Sequence, residues 1–245
     1  MNPIKQLFLS FQFIGLPATL RIISATLLRD WYEWRFREPA APETAPHTPG
    51  ELLNVEAAPS GARCTFTNAE LEIRFLTPHL VRLSWEPGQL PLPYAIAKTE
   101  WPEVSVSVHE SDAGGYTLAS QNLSLTVGVD GGITYHAGDG RQLRAETPPQ
   151  REGLAWTQHA RLGAEERIHG LGERASTLNL RDAAPQGESI TYQMRNTDPG
   201  GHYSTGDDPL YMNIPLYISR TNRDCYLIFY ENTHQGEFSF GAEES

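Results

Sequence analysis

Cysteine is almost absent. Cys64 and Cys225 are the only 2 among 245 residues, far apart and without CxxC spacing, which excludes a disulfide framework and a zinc site. Both are expected to be buried free thiols. Positive charge is also scarce: 19 Lys and Arg stand against 30 Asp and Glu, a formal charge of −11. The chain thus lacks the cations that neutralise phosphates, and no nucleic-acid partner is expected. No uninterrupted apolar run approaches the roughly 20 residues of a membrane span. The 8 histidines show no HxH or HExxH spacing; His159, His169 and His202 are isolated. The doublet Asp207-Asp208 lacks further spaced carboxylates and reads as a strand entry. No metal site and no cofactor are expected. An acidic chain of this kind suits a soluble protein acting on a neutral ligand such as a sugar.

With 39% apolar residues over this length, one large core is within reach. Residues 1–37 place Ile4, Leu7, Phe11, Ile14, Leu20, Ile23, Leu27, Trp31 and Trp34 at three- and four-residue spacings, a helical period, while Arg21, Arg29, Arg35 and Arg37 make the second half basic. Pro17 is expected to split the segment into two short amphipathic helices. The expected roles, in order, are a helix that packs or builds a homo-oligomer, one that lies on a membrane surface, and an export signal; no clean cleavage site follows, and the expected location is the cytoplasm. Residues 38–50 carry Pro39, Pro42, Pro46 and Pro49 and read as a linker.

From residue 51 the period changes from 3.6 to 2. Leu71, Ile73 and Phe75 alternate with Glu70, Glu72 and Arg74; Val81, Leu83 and Trp85 follow after a turn at Thr77-Pro78-His79, and Glu86-Pro87-Gly88 closes that strand. Val104, Val106 and Val108, then Tyr116 and Leu118, Leu123, Leu125 and Val127, and Ile133 and Tyr135 continue the pattern, with a turn at Asp130-Gly131-Gly132. Residues 138–152 read as a polar stretch. A second set of strands is expected at 154–157, 167–171, 189–194, 211–219 and 226–230. Short strands without intervening helices predict an all-β, antiparallel β-sandwich over 51–245.

Four segments resemble the N-terminal domain of family 31 glycoside hydrolases, which include α-glucosidases and α-xylosidases. They are Leu71-Glu72-Ile73-Arg74-Phe75-Leu76-Thr77-Pro78-His79-Leu80-Val81-Arg82; His169-Gly170-Leu171-Gly172-Glu173-Arg174; Asn196-Thr197-Asp198 with Asp208-Pro209-Leu210-Tyr211-Met212-Asn213-Ile214-Pro215-Leu216-Tyr217-Ile218; and Glu231-Asn232-Thr233 through Phe238-Ser239-Phe240-Gly241. The resemblance implies a galactose-mutarotase-like sandwich placed before a (β/α)₈ barrel that carries both catalytic aspartates of a retaining α-glycosidase. The family's Trp-x-Asp-Met-Asn-Glu nucleophile motif does not occur in these residues. Retaining chemistry needs two carboxyls about 5–5.5 Å apart, so this chain alone is expected to be inactive and to work with the barrel on an α-linked glucoside or related sugar.

The resemblance also assigns site residues. Asp198 matches the aspartate that reaches over the barrel mouth to the sugar; a carboxylate there accepts charge-assisted bonds from two hydroxyls. Its other reading is a turn, since Asn196-Thr197-Asp198-Pro199-Gly200-Gly201 is turn chemistry. The family commonly has Trp before Asn-x-Asp where this sequence has Arg195, so Tyr192 or Tyr203 is the expected stacking ring, or else each is a core or rim residue. Gly170 and Gly172 are expected to allow close backbone approach, and Glu173 and Arg174 to form structural hydrogen bonds near the barrel interface; the spacing matches no phosphate loop. The competing function is a self-standing sugar-binding or mutarotase-like module, for which His169 or His202 would have to meet Glu173 as an acid–base pair.

Overall fold

The computed structural model describes residues 3–36, 45–86, 95–112, 114–183, 190–201, 203–231 and 234–241, with side chains from Gly15 onward. The linker expected at 38–50 lies partly outside the described residues, and Pro87, Gly88, Ser189, His202, Asn232 and Thr233 lie wholly outside them.

The chain divides into two compact units, Met1–Thr44 and Ala45–Ser245. The first holds helix α1 (Pro3–Arg35), interrupted at Gly15, where φ is 75° and ψ 161°. The break thus precedes Pro17. Proline is tolerated in the first turn of a helix, where its missing N–H would be unpaired anyway, whereas glycine takes a positive φ without a Cβ penalty. Thr19 Oγ1 donates to Gly15 O at 2.9 Å across the new first turn. Leu20, Leu27, Trp31 and Trp34 are exposed. Among the described residues no helix is long and apolar enough to cross a membrane.

The second unit is all-β and antiparallel. Strands β1 (Leu52–Ala58), β2 (Gly61–Phe66), β3 (Glu70–Thr77) and β4 (Leu80–Trp85) form one sheet; β5 (Ser107–Glu110), β6 (Tyr116–Ala119), β7 (Leu123–Val127), β8 (Ile133–Ala137) and β9 (Gln142–Glu146) form a five-stranded meander. Their shared core is the one the alternation predicts. Leu71, Ile73 and Phe75 pack with Leu118, Leu125, Val127 and Ile133, joined by Cys64 and Phe66 from β2. Then come a hairpin, β10 (Gln150–Glu152) and β11 (Ala155–Thr157), and strands β12 (Arg167–Gly172), β13 (Ile190–Gln193), β14 (Asn213–Arg220), β15 (Cys225–Phe229) and β16 (Glu237–Phe240). β12, β14 and β15 make a three-stranded sheet and β13 pairs with β16. Ile168, Leu171, Leu180, Tyr192, Tyr217 and Phe240 form their core.

A buried polar network ties the meander to the three-stranded sheet. Arg144 on β9 is 5% exposed; its Nε donates to Glu146 Oε1 at 2.6 Å and its Nη1 to Tyr217 on β14 at 2.8 Å. Tyr135 on β8 donates to the other Glu146 oxygen at 3.1 Å, and burial followed by the Glu146 charge holds its phenol well above the ordinary range. A second buried carboxylate, Glu166, accepts from Ser219, from Tyr226 at 2.5 Å and from the Gly163 N–H at 2.8 Å. Burial, then that bond, pushes Tyr226 up to about 12.

The two cysteines differ, against the expectation that both are buried. Cys64 lies in the first core and Cys225 is exposed, because Cys225 opens β15 opposite Arg220, in a row that faces away from the core. Burial pushes the Cys64 thiol up to about 11, leaving on the order of one part in a thousand as the reactive thiolate at pH 8. Iodoacetamide at pH 8, followed by mass spectrometry, should therefore modify one thiol quickly in the native chain and both after unfolding.

Candidate functional site

The site follows from a bulge in β12. Pairing with β14 runs in register from Arg167 to Gly170 and then shifts before Gly172. Gly170, Leu171 and Gly172 have φ of 131°, 65° and 83°. A Cβ on Gly170 would lie 2.6 Å from Leu216 O, and one on Gly172 would lie 2.4 Å from Met212 O, so both positions need glycine for conformation and for space. Leu171 bears the left-handed backbone at a cost of about 1–2 kcal/mol. Its side chain is fully buried, which returns about 1.5–3 kcal/mol. The bulge turns the chain so that the Glu173 N–H donates to Met212 O at 2.7 Å; Glu173 thus contributes through its main chain.

Arg174 comes next, its side chain 5% exposed beside that of Asp208 at 15%. Its Nη1 donates to Asp208 Oδ1 at 2.5 Å and to Asn213 Oδ1, and its Nη2 to Gln193 O at 3.4 Å. Asp208 Oδ2 accepts from the Gln193 N–H at 2.6 Å. Burial lowers the Arg174 guanidinium from its ordinary range against the opposing charge of Asp208; an arginine remains charged there. Asn213 donates through Nδ2 to Arg195 O at 2.6 Å and to Leu210 O at 3.0 Å, and its N–H donates to Asn196 Oδ1 at 2.8 Å. The loop between β13 and β14 is therefore closed at both ends. Asp208, which the sequence reading left as a strand entry, is its anchor.

Asp198 lies on that loop, exposed, with Oδ1 accepting from the Gly200 N–H at 2.7 Å. It forms the turn its neighbours predict, and its carboxylate faces outward. Tyr203 is 48% exposed on the same loop. Tyr192 stands elsewhere: it is 2% exposed, its hydroxyl donates to Leu180 O at 2.9 Å, and its ring packs against Phe240, so it offers no open face for stacking. The sequence reading missed Tyr211, which is 40% exposed and whose hydroxyl accepts from the Gly201 N–H at 2.7 Å, setting the phenol beside the Asp198 turn. His169 contacts Leu178 O through Nδ1 at 2.7 Å. Among the described residues no three metal-ligating groups cluster.

An open cleft of about 570 Å³ is lined by Glu165, Arg167, His169, Leu178, Arg181 and Asp182. None of Asp198, Tyr203 or Tyr211 borders it. Gly206, Asp207 and Asp208 of the loop line a small concavity of about 40 Å³ together with Arg174 and Tyr192. On the outward side of the three-stranded sheet, His169, Ile218 and Leu227 form a row across β12, β14 and β15, beside the pair Leu216 and Phe229. Ile214, Ile218 and Leu227 are exposed, as is nearby Leu178. The inward residues Tyr217 and Ser219 are buried, so the outward side carries these apolar residues, with the row Arg167, Arg220 and Cys225 at one end.

The antiparallel sandwich, its glycine bulge and its arginine-anchored loop agree with a family relationship. The chain belongs to the family of the glycosyl hydrolase 31 N-terminal galactose mutarotase-like domain, whose model matches residues 70–238. It is similar to alpha-glucosidase 2 of Bacillus thermoamyloliquefaciens, 27% identical over 178 residues, covering 69% of this chain and 21% of that protein. Among solved structures it resembles a GH31 dextranase of Flavobacterium johnsoniae in complex with isomaltotriose, at 21% identity and TM-score 0.68, covering 80% of this chain and 24% of that one. It also resembles a GH31 alpha-xylosidase from a soil metagenome in complex with xylose, at 18% identity and TM-score 0.56, covering 77% of this chain and 29% of that one. The chain thus spans about a fifth of the length of the alpha-glucosidase and about a quarter of that of the dextranase.

Proposed function

We propose that this chain is the pocket-shaping sandwich of a retaining α-glycosidase, that a (β/α)₈ barrel docks on the sheet of β12, β14 and β15, and that Asp198 meets the sugar over the barrel mouth. The observation that carries this reading is the exposure of Ile214, Ile218 and Leu227 on one side of that sheet. Exposed contiguous apolar surface marks an interface, because leaving it in water costs about 25 cal/mol per Å² that burial would recover. The family relationship supports the same reading, and the similar proteins are an alpha-glucosidase, a dextranase in complex with isomaltotriose and an alpha-xylosidase in complex with xylose. The sandwich contributes no carboxyl pair of its own to the chemistry. Its part is to close one side of the subsite, to exclude water from the reacting bond, and to offer Asp198 as an acceptor for sugar hydroxyls.

The test is hydrolysis of p-nitrophenyl α-glucoside and maltose by the 245-residue chain and by a polypeptide extended through the reading frame that follows it. Activity is expected only in the longer protein. Turnover by the short chain would overturn the reading and require a carboxylate pair within the sandwich.

A further inference from the structure

We propose that Arg174 is a positioning residue, which acts through Asp208 and Asn213 to hold the 195–213 loop in the geometry that presents Asp198 and Tyr211; the bearing of this on sugar rests on the function proposed above. Arg174 lies where three elements converge. It follows the bulge that ends β12, bonds to Gln193 at the end of β13, and bonds to Asn213 at the start of β14. Each partner carries the restraint outward. Asp208 spends its first oxygen on the guanidinium and its second on the Gln193 N–H. Asn213, held through its carbonyl oxygen by Arg174, turns its amide to Arg195 O and Leu210 O at opposite ends of the loop. Thr197 N–H donates to Leu210 O at 2.9 Å, which places the fixed segment next to Asp198.

The guanidinium bonds here through its two terminal nitrogens, while its buried Nε has no hydrogen-bond partner among the described residues. Nη1 serves Asp208 and Asn213 while Nη2 reaches Gln193 O, and a lysine ammonium, a point charge on a flexible stem, cannot keep those directions together. Beyond the clamp the Gly206 N–H donates to Ala175 O at 2.6 Å, next to Arg174, while Asp198 caps its own turn and Tyr211 holds Gly201 at the exposed surface. Asp198 is thus placed from below by groups that are not in contact with it. A charge-bearing acceptor misplaced by about 1 Å loses much of its effect.

The decisive measurement is residue-resolved amide hydrogen exchange on the 245-residue chain. In Arg174→Lys, and separately in Asp208→Asn, exchange at Thr197, Gly200 and Gly206 should accelerate tenfold or more while Phe75 and Leu125 in the first core keep their native protection. Unchanged loop exchange in both variants, or equal acceleration in the core, would overturn the proposal. A double-mutant cycle in the extended polypeptide gives a second readout. Arg174→Lys should lower kcat/KM for maltose about tenfold alone and little further beside Asp198→Ala, since it acts through that residue; full additivity would overturn it. Failure of the pocket reading registers separately, as inactivity of the extended wild type or a neutral Asp198→Ala, and leaves the exchange experiment to decide on Arg174.

Discussion

Arg144→Ala is expected to lower the melting temperature of the sandwich by about 6–20 °C. The substitution leaves Glu146, whose side chain is 9% exposed, as a buried carboxylate without its cation, and takes from Tyr217 the donor at its hydroxyl. Breaking a buried pair from one side costs about 3–5 kcal/mol, and a unit of this size shifts by about 2–4 °C per kcal/mol. Arg144→Met combined with Glu146→Leu should cost much less, because it removes both desolvated charges together. Differential scanning calorimetry of the two proteins checks the pair. Similar losses would show that shape, and not the uncompensated charge, dominates at β9.

The second large effect concerns activity. In a polypeptide that carries the barrel, Asp198→Ala should lower kcat/KM on maltose roughly 10- to 150-fold, the equivalent of about 1.5–3 kcal/mol for a hydrogen bond to a charged group. Because Asp198 also caps Gly200, the alanine variant alone confuses loss of the turn with loss of the charge. Asp198→Asn separates them: asparagine caps the same turn but is a neutral acceptor, so most of the loss should persist. Tyr192→Phe is the control. It removes a buried bond to Leu180 O, and should cost about 1 kcal/mol of stability while leaving KM unchanged. A rise in KM there would return Tyr192 to the substrate side.

How far the sequence could be read followed from where its charges lie. β3, β6 and β7 were legible because Leu71, Ile73, Phe75, Leu118, Leu125 and Val127 all enter the core and alternate with polar residues. β9 was not. Its inward positions are Arg144 and Glu146, so a strand buried on one face reads as part of a polar stretch. β1, with most of its residues exposed, shows almost no apolar period. β13 was visible as a strand, but its period left open that Tyr192 faces the core. The clamp of Arg174 on Asp208 was hidden by distance, since 34 residues separate the two and no local pattern links them. The glycines at 170 and 172 were legible as a place of close approach, because few other roles need that residue twice within three positions.

The bare face of β12, β14 and β15 has a consequence for synthesis. In a polypeptide whose barrel follows the sandwich, the sandwich leaves the ribosome first. At about 5–20 residues per second, a barrel of about 250 residues arrives some 12–50 s later. Throughout that interval Ile214, Ile218 and Leu227 face water or a chaperone. The central strand β14 and its neighbour β15 are then the stickiest part of the newborn protein, and on the proposed reading the rate at which the barrel folds sets how long they stay so.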